Sequence, residues 1–278
     1  MLNRFSLEGR VAIVTGGGTG IGRAISLLFA KAGADVVLAG RRLEPIMQTA
    51  EEVRRLGRRS LAVKTDVTDS AQVDRLVEAT ISTFGALDIL VNNAGIARGI
   101  EPSPHDKQPL PTREIWEWTD DMWQKGIETN LSSVFYCCRS VARHMAERKK
   151  GKIINISSAA GVRAAKGLYT YSTAKAAVIM LTKVLAVSLA KYNIQVNCIA
   201  PGNIEVAEEK GSIESYQIPF IPMGRLGKPE EVGVLAVLLA SSASDYITGE
   251  CFFVDGARFA GVLPIGCELK PWGSCEAL

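Results

Sequence analysis

The chain alternates between short apolar runs and longer amphipathic segments, and this alternation restricts its fold more than any other feature. Apolar runs that do not alternate with polar residues are typical of strands in a parallel sheet covered on both faces. We therefore predict an α/β fold with one doubly wound domain, about seven parallel strands and helices on both faces. The seven strand-like runs span 10–16, 35–40, 60–66, 86–95, 152–158, 194–202 and 250–256.

Two segments do not follow the alternation. Residues 98–114 carry four prolines and no apolar period, which predicts an unusually long loop. After the last strand, residues 258–278 also lack a clear period. We expect residues 1–257 to form the domain and the tail to pack on its own or a neighbouring subunit.

The composition argues against several classes of partner. A net charge of +3 is too small to indicate nucleic acid or an anionic membrane. No apolar run approaches the ~20 residues of a membrane span, and the start of the chain lacks the pattern of a signal peptide. The basic cluster at 147–150 is expected on a solvated helix end.

The six cysteines lack CxxC or Cys/His spacing, so no metal site is predicted. We interpret Cys137, Cys138, Cys198 and Cys251 as small buried residues of a cytoplasmic protein. Cys267 and Cys275, in the tail, are the one pair whose state stays open.

The first strand runs into the sequence TGGGTGIG at 15–22. Glycines at Gly16, Gly20 and Gly22 allow a tight turn and a close approach of the backbone to a pyrophosphate. The following helix would offer free N–H groups to the same anion. A tight turn without a ligand can also be built this way, but the position after the first strand favours a nucleotide site.

The end of the second strand bears on the choice of nucleotide. Gly40 stands where NAD-binding folds usually place an acid for the ribose 2′-hydroxyl. Arg41 and Arg42 follow, and an arginine there can bind a 2′-phosphate through a charge-assisted fork. The alternative is a solvated arginine pair at the start of a helix. Together these residues favour NADP over NAD.

The segment YTYSTAK at 169–175 places a tyrosine and a lysine on one helical face. Tyr171 and Lys175 are four residues apart, and positions with that spacing are neighbours on a helix. A nearby cation favours the phenolate and lowers the pKa of a tyrosine, which suits it to proton transfer near neutral pH. Taken alone, the pair could equally be a half-buried aromatic residue and a surface charge.

These motifs, in this order, resemble those of the short-chain dehydrogenases/reductases over about residues 5–257. The resemblance includes the subtype of NADP-preferring enzymes similar to 3-oxoacyl-acyl-carrier-protein reductases. It implies a Rossmann-type domain that transfers hydride between the nicotinamide C4 of NADP(H), or NAD(H), and a carbonyl or secondary alcohol. The matching segments are TGGGTGIG, the Asp66–Val67 pair, NNAG at 92–95, INISSAAG at 154–161, YSTAK at 171–175 and PGNI at 201–204.

The resemblance implies four catalytic residues. Tyr171 would be the acid/base, and Lys175 would lower its pKa and bind the nicotinamide ribose. Ser158, thirteen residues before Tyr171, would hydrogen-bond the substrate oxygen, with Ser157 as the alternative. Asn130 would hold a water for proton relay, unless it is a capping or helix-kinking amide. Tyr169 has no lysine partner and is expected to pack or to form a pocket wall.

The resemblance also implies a set of cofactor-binding residues, and no metal. They are Gly16, Thr19, Gly20, Ile21, Gly22, Arg41, Arg42, Asp66, Val67, Asn93, Ala94, Gly95, Tyr171, Lys175, Pro201, Gly202 and Ile204.

The chain departs from the family pattern at two positions near the site. Ser133 replaces a common glycine, and Val206 stands where a threonine usually helps to hold the nicotinamide carboxamide. Residues 203–225 fall where the family has a mobile substrate lid.

The lid and its surroundings combine acidic, apolar and aromatic side chains. The acids are expected to face water, and the apolar ones to offer walls for a modest ketone or secondary alcohol. These side chains are Glu205, Glu208, Glu209 and Glu214; Ile218, Phe220, Ile221 and Met223; and His105, Trp116, Trp118 and Trp123.

Three functions are compatible with these features. An NADP-dependent oxidoreductase is favoured, since all the implied catalytic residues are present. A dehydratase or epimerase with a retained cofactor would be expected to have a larger C-terminal region. A catalytically silent nucleotide sensor or scaffold would be expected to lose Tyr171, Lys175 or Ser158. The resemblance further implies a homotetramer built through helices at 119–148 and 170–190.

Overall fold

A computed structural model describes residues 2–96, 114–164, 166–205 and 218–260. Seven strands form one parallel sheet in the order β3-β2-β1-β4-β5-β6-β7, which confirms the predicted doubly wound, Rossmann-type fold. Their bounds are β1 Val11–Thr15, β2 Asp35–Gly40, β3 Ser60–Lys64, β4 Ile89–Asn92, β5 Gly151–Ile156, β6 Ile194–Pro201 and β7 Cys251–Val254. The strand order reverses between β1 and β4, and a crevice for ligands is expected at such a point.

The helices cover both faces of the sheet. Side chains of α1, α2 and α7, such as Phe29 and Ile46, pack on one face. Side chains of α3, α5 and α6, such as Leu76 and Met145, pack on the other. The bounds are α1 Gly20–Lys31, α2 Leu43–Arg55, α3 Ser70–Phe84, α4 Asp120–Ile127, α5 Ser133–Glu147, α6 Tyr169–Leu189 and α7 Pro229–Ala240.

Local sequence explains where α3 begins and ends. The Asp69 carboxylate accepts hydrogen bonds from the amides of Ala71 and Gln72, which otherwise lack partners in the first turn. Gly85 ends the helix in the left-handed region, with φ 74°. The chain then enters β4 at the centre of the sheet.

Helix α6 corrects one expectation from the sequence. With its 3₁₀ extension it spans Tyr169–Tyr192, and its most apolar 18-residue window has a mean hydropathy of 1.6, so its length and composition would suffice to cross a membrane. Lysines interrupt the apolar run, which is why no such run was recognised in the sequence. Core helices of soluble proteins have the same properties, and α6 packs Ala174 and Val178 on the sheet. Met180 and Val187, on its outer face, are exposed in the single chain.

The amino edge of the sheet carries buried carboxylates matched by basic side chains. Asp88, 1% exposed, lies 3.1 Å from the Lys150 amine and 3.2 Å from the Arg148 guanidinium, and it accepts the Val11 amide at 3.0 Å. The cluster at 147–150 is thus at a helix end as expected, but two of its cations pair with a buried acid. Asp35 is paired similarly, with the Arg59 side chain at 2.7 Å.

Three segments named from the sequence fall largely outside the described residues. They are the loop at 98–114, except for Glu114; the central part of the 203–225 segment; and the tail from residue 261. Val206, His105, Glu208, Glu209, Glu214, Cys267 and Cys275 lie among them.

Candidate active site

The predicted site residues follow the carboxyl ends of the parallel strands, which all meet at one edge of the sheet. After β1, Gly16 adopts φ +64° and donates its amide to the Ala39 carbonyl at 2.8 Å. Gly20 also has positive φ, +49°, and opens α1. A Cβ on Gly22 would collide with the Gly16 carbonyl oxygen, so the turn requires glycine there.

The start of α1 fits an anionic ligand. Thr19 is the N-cap residue, but its side chain makes no capping hydrogen bond, and no acidic residue lies in the first turn. The amides of Gly20, Ile21 and Gly22 therefore begin a helix without a side-chain acceptor, where the helix dipole favours negative charge. The pyrophosphate of a dinucleotide suits this position.

Thr15 ties the turn after β1 to the turn after β4. Its hydroxyl donates to the Val91 carbonyl at 3.2 Å and accepts the amides of Asn93 and Ala94, each at 3.0 Å. The Asn93 side chain returns a bond to the Thr15 carbonyl at 3.0 Å. Thr15 was not among the site residues predicted from the sequence, although it opens the TGGGTGIG segment. It fixes the position of Asn93 and Ala94 beside the glycine turn.

The ends of β2 and β3 provide the charged side of the nucleotide site. Arg41 and Arg42 are exposed at this edge, and Arg42 is the N-cap residue of α2. Asp66 holds its own turn, because its carboxylate accepts the Thr68 amide at 3.0 Å and the Thr68 hydroxyl at 2.8 Å. Val67 is buried beside it.

Lys175 lies buried beneath Tyr171. The lysine amine is 5.7 Å from the centre of the tyrosine ring and donates to the Ile156 carbonyl at 2.9 Å. Burial lowers the pKa of Lys175 to about 8, and a weaker interaction with Cys198 acts in the opposite direction. The lysine thus holds a cation close to the phenol at neutral pH, as the i, i+4 spacing predicts.

Asn130 lies in a π-helical turn, Glu128–Ser132, which joins α4 to α5. Its side chain is fully buried; Oδ1 accepts the Ile96 amide at 3.1 Å, and Nδ2 donates to the Gly126 carbonyl at 3.2 Å. A Cβ on Gly95 would lie 2.9 Å from Asn130 Oδ1 and 3.5 Å from the Lys175 amine. Glycine at this position therefore lets the NNAG turn, Asn130 and Lys175 come together.

The two serines after β5 have different environments. Ser157 is buried, and its hydroxyl donates to the Lys175 carbonyl at 2.7 Å. Ser158 is half-buried, and its hydroxyl accepts the Ala160 amide at 3.1 Å. Because Ser158 is an acceptor in this contact, its hydroxyl hydrogen stays available for an external oxygen.

The turn after β6 is packed closely against the end of β7. Pro201 is paired with Val254, and the Gly202 amide donates to the Val254 carbonyl at 2.9 Å. A Cβ on Gly202 would lie 2.8 Å from the Asp255 Cα. Ile204 forms an isolated parallel bridge with Gly227. These contacts fix the chain on both sides of residues 206–217. We call residues 202–205 the first stem and residues 218–225 the second stem.

Aromatic and apolar side chains lie near the start of α6 and in the second stem. The Trp118 and Tyr169 rings meet edge to face at 5.4 Å, which supports the expectation that Tyr169 packs or forms a wall. Trp116 and Trp123 are exposed, as are Phe220, Met223 and Glu205, whereas Ile221 is buried. Ile218 is half-buried.

A buried polar network joins the centre of the sheet to α6. The Asn92 side chain donates to the Asn155 side-chain oxygen at 2.9 Å, and Asn155 donates to the Thr182 hydroxyl at 2.9 Å. Thr182 in turn donates to the Val178 carbonyl at 2.8 Å. This network links β4 and β5 to the helix that carries Tyr171 and Lys175.

Among residues 2–96, 114–164, 166–205 and 218–260, no group of three His, Cys, Asp or Glu side chains could hold a metal ion. In the same ranges Cys137, Cys138 and Cys198 are buried and Cys251 is half-buried, all as free thiols.

Comparisons with known proteins agree on one family. Residues 10–216 match the family model of the short chain dehydrogenases. The chain is 36% identical over 254 residues to a 3-oxoacyl-[acyl-carrier-protein] reductase of Chlamydia muridarum, covering 90% of this chain and 97% of the relative. It is 37% identical over 266 residues to a 2-dehydro-3-deoxy-D-gluconate 5-dehydrogenase of Dickeya dadantii, covering 94% and 99%.

A solved structure shows the same similarity in three dimensions. It is a 7α-hydroxysteroid dehydrogenase in complex with NADH and 7-oxo glycochenodeoxycholic acid. The TM-score is 0.83 at 32% identity, with 92% of this chain and 96% of that chain covered.

Proposed function

The chain belongs to the short-chain dehydrogenase family, and on this premise we propose that it is an NADP(H)-preferring ketone reductase with Tyr171 as its acid/base. The family and the named relatives make it an NAD(P)-dependent oxidoreductase that transfers hydride to or from a small carbonyl or alcohol substrate. No relative among those described favours a catalytically silent protein. The residue roles, the preference for NADP(H) and the substrate class are the parts that we propose.

The contact between Lys175 and Tyr171 carries the proposal. A buried ammonium below the phenol favours the phenolate, so that Tyr171 can give a proton to a substrate oxygen and recover it near neutral pH. The Ile156 carbonyl holds the amine in place at 2.9 Å. Lys175 is thereby a fixed cation rather than a mobile surface lysine.

Ser158 and Asn130 complete the proposed site. Ser158 donates its hydroxyl hydrogen to the substrate oxygen and stabilises the negative charge that develops there. Ser157 is less suitable, since its hydroxyl is committed to the Lys175 carbonyl. The side-chain oxygen of Asn130 and the Lys175 amine both lie near Gly95, and Asn130 fixes the backbone at Ile96 and Gly126. We propose that a water held there relays protons from solvent.

The cofactor supplies the hydride when it is bound. We propose that the turn residues Gly16, Thr19, Gly20, Ile21 and Gly22 hold its pyrophosphate. Other residues at the same edge would contact the adenine, the ribose and the nicotinamide. These are Asp66, Val67, Asn93, Ala94, Gly95, Tyr171, Lys175, Pro201, Gly202 and Ile204.

The preference for NADP(H) rests on the end of β2. Gly40, and not an acid, ends this strand where the ribose 2′-hydroxyl would lie, and Arg41 and Arg42 are exposed next to it. A guanidinium can bind a 2′-phosphate through two parallel hydrogen bonds. Because one structural relative is named as holding NADH, both cofactors need to be compared directly.

For the substrate we propose a 3-oxoacyl thioester. Two relatives are named 3-oxoacyl-[acyl-carrier-protein] reductases at 36% and 37% identity. The second stem, residues 218–225, exposes the apolar side chains of Phe220 and Met223, which an acyl chain can contact. A keto sugar acid, as named for another relative, would favour polar walls instead.

The experiment follows the absorbance of the reduced nicotinamide, with NADPH and NADH side by side, over 3-oxoacyl thioesters, keto sugar acids and simple ketones. We expect turnover on 3-oxoacyl thioesters with NADPH preferred. Arg41→Ala should weaken NADPH binding by about 10–100-fold, the range of one charge-assisted hydrogen-bond pair, and NADH binding far less.

The matched control is Arg54→Ala, an arginine in the last turn of α2 that pairs with Glu51 at 2.9 Å. It should leave both cofactors unaffected. Equal losses of NADPH and NADH in Arg41→Ala would contradict the 2′-phosphate contact. Tight cofactor binding without turnover on any substrate would contradict the enzyme assignment.

We further propose a cytoplasmic homotetramer. The outer face of α6 exposes Met180, Val184 and Val187, and α5 exposes Phe135, so each chain has apolar surface to bury against another. Light scattering should give about four times the chain mass. Val187→Glu, which places a charge on this face, should reduce that mass, and a wild-type monomer at micromolar concentration would contradict the proposal.

A further inference from the structure

Two cysteines face each other across the last pair of strands. Cys198 of β6 and Cys251 of β7 are register partners in the parallel ladder. Neighbouring strands lie about 4.8 Å apart, which is within the Cα separation of about 4.4–6.8 Å that a disulfide spans. As register partners in neighbouring strands, the two side chains lie on the same face of the sheet. The pair can therefore be bridged without a large movement of the backbone.

The two thiols differ in access and in acidity. Cys198 is fully buried in the core strand, whereas Cys251 is half-buried on the edge strand. The neighbouring Cys198 thiol and the charge of Lys183 lower the pKa of the Cys251 thiol. The neighbouring Cys251 thiol, together with burial, raises the pKa of Cys198. Of the two, Cys251 is the thiol that an outside reagent can reach as a thiolate.

We propose that Cys251 is an oxidant-reactive thiol and Cys198 its resolving partner, so that hydrogen peroxide closes a reversible disulfide between β6 and β7. The Cys251 thiolate attacks one peroxide oxygen and releases hydroxide, which leaves a sulfenic acid. The Cys198 sulfur then attacks the Cys251 sulfur, and its proton leaves with the hydroxyl group as water. Two thiols lose two hydrogen atoms, and a dithiol reductant reverses the reaction.

The other described pair of cysteines provides a contrast within the same protein. Cys137 and Cys138 are adjacent on α5 and both are buried. Burial raises the pKa of Cys138 to about 12, and that of Cys137 is also raised. These thiols have little thiolate and no access to solvent, so peroxide should leave them reduced.

The disulfide would act on the candidate active site through β6. Cys198 lies on the strand that leads to Pro201 and Gly202, and its register partner on β5 is Asn155, next to Ile156, whose carbonyl holds the Lys175 amine. Closing the bridge ties this strand to the edge of the sheet and restricts the turn at Pro201 and Gly202. Turnover should therefore fall when the bridge forms.

The test uses the full chain with Cys267→Ser and Cys275→Ser, so that tail thiols cannot exchange with the pair. After treatment with peroxide, mass spectrometry of the digested protein should show peptides containing Cys198 and Cys251 joined with the loss of two hydrogen atoms. Dithiothreitol should separate them. If Cys251 stays reduced, or oxidises no faster than Cys137 in the same sample, the proposal is wrong.

Three variants separate the two roles. Cys198→Ser should stop at a Cys251 sulfenic acid, which dimedone traps, and Cys251→Ser should form neither product. Cys137→Ser should form the Cys198–Cys251 disulfide as readily as the parent protein, which is the chain with Cys267→Ser and Cys275→Ser alone. Dimedone labelling of Cys198 instead of Cys251 would overturn the assignment, and the peptide mapping of the parent stands even if a variant fails to fold.

Turnover is the last readout, and only this arm rests on the proposed function. It should fall severalfold in step with the bridged fraction and return with dithiothreitol. A complete disulfide with unchanged turnover would show that the bridge does not act on the active site. A parent protein that is inactive before oxidation would contradict the proposed function, and the peptide mapping would then still test the disulfide.

Discussion

The two edges of the sheet hold buried charges in different ways. At the amino edge, Asp88 lies within ion-pair distance of three cations, those of Arg10, Arg148 and Lys150, and it accepts a backbone amide. At the carboxyl edge, Lys175 is also buried, at 5% exposure, but in the described ranges no carboxylate pairs with it. Its amine is held by the neutral carbonyl of Ile156.

This difference separates a structural charge from a chemical one. A buried charge matched by opposite charges is compensated, and removing one partner destabilises the fold. A buried charge matched only by dipoles lowers stability and shifts its own pKa, and such groups cluster at functional sites. The fold therefore gains stability at one edge and gives some up at the other.

The largest expected effect is on turnover at the carboxyl edge. Tyr171→Phe should lower kcat by roughly 10²–10⁴-fold, the usual contribution of a general acid or base, because the ring remains but the proton donor is lost. NADPH binding, followed by fluorescence, should stay close to wild type. Tyr169→Phe is the matched control and should keep its kcat. A Tyr171→Phe enzyme within a few-fold of wild type would refute the assignment.

The next effect is on stability at the amino edge. Asp88→Asn should lower the free energy of unfolding by roughly 3 kcal/mol, because Arg148 and Lys150 lose the carboxylate that compensates them. Urea denaturation measures the change, and the kcat of the folded variant should be unaffected. Asp74→Asn, on the exposed face of α3, should unfold like wild type. A marked loss of kcat in folded Asp88→Asn would show that the two edges are coupled.

The third effect is a gain in stability, which we expect when the charge of Lys175 is removed. In the folded chain the pKa of Lys175 is about 8, below its ordinary 10.5, so the unfolded chain binds more protons between these values. Wild-type stability should therefore rise with pH across this window, and below pH 8 burial of the ammonium should cost up to about 3 kcal/mol. Lys175→Met removes this cost.

Urea denaturation at pH 7 should accordingly show Lys175→Met as the more stable protein, although it is inactive. The advantage should shrink above pH 8 and vanish near 10.5. Lys183→Met, on the exposed face of the same helix, should have the same free energy of unfolding as wild type at pH 7 and at pH 10.5. A Lys175→Met protein that is less stable than wild type at pH 7 would mean that the ammonium is compensated after all.

The smallest effect lies between the two edges. Thr182→Val removes the hydroxyl that accepts from Asn155 and leaves a buried amide hydrogen without a partner, at a cost of about 1–2 kcal/mol. Thr182→Ser keeps the hydroxyl and should recover most of the loss in urea denaturation. Equal losses in both variants would point to packing of the methyl group instead of the hydrogen bond.

The parts that were predictable from sequence depend on local patterns. The seven strands follow from apolar runs, and the glycine turn follows from positions that need positive φ or no Cβ, such as Gly16 and Gly22. The Tyr171–Lys175 contact follows from helical spacing. Each of these needs only a few neighbouring residues.

The parts that were missed depend on distant partners. Thr15 binds amides 78 and 79 residues away, and Asp88 pairs with Arg148 and Lys150 from the end of another helix. The stretch at 119–148 was treated as one helical region, with Asn130 holding a water for proton relay and a capping or kinking amide as the alternative. The structure resolves it as a π-helical turn between α4 and α5. That choice depends on how both helices pack, and no short pattern encodes it.

Because of the π-helical turn at Glu128–Ser132, the directions of the side chains in this helical region depend on the number of residues in the turn. A π turn accommodates one more residue than an α turn, and each residue advances an α-helix by about 100°. Deleting any one residue there would let the chain close into a continuous α-helix. Either Asn130 would then turn away from Lys175, or Val134, Cys138 and Val141 would turn away from the sheet. A single deletion in this segment would therefore displace either a residue of the candidate active site or the core side chains of α5.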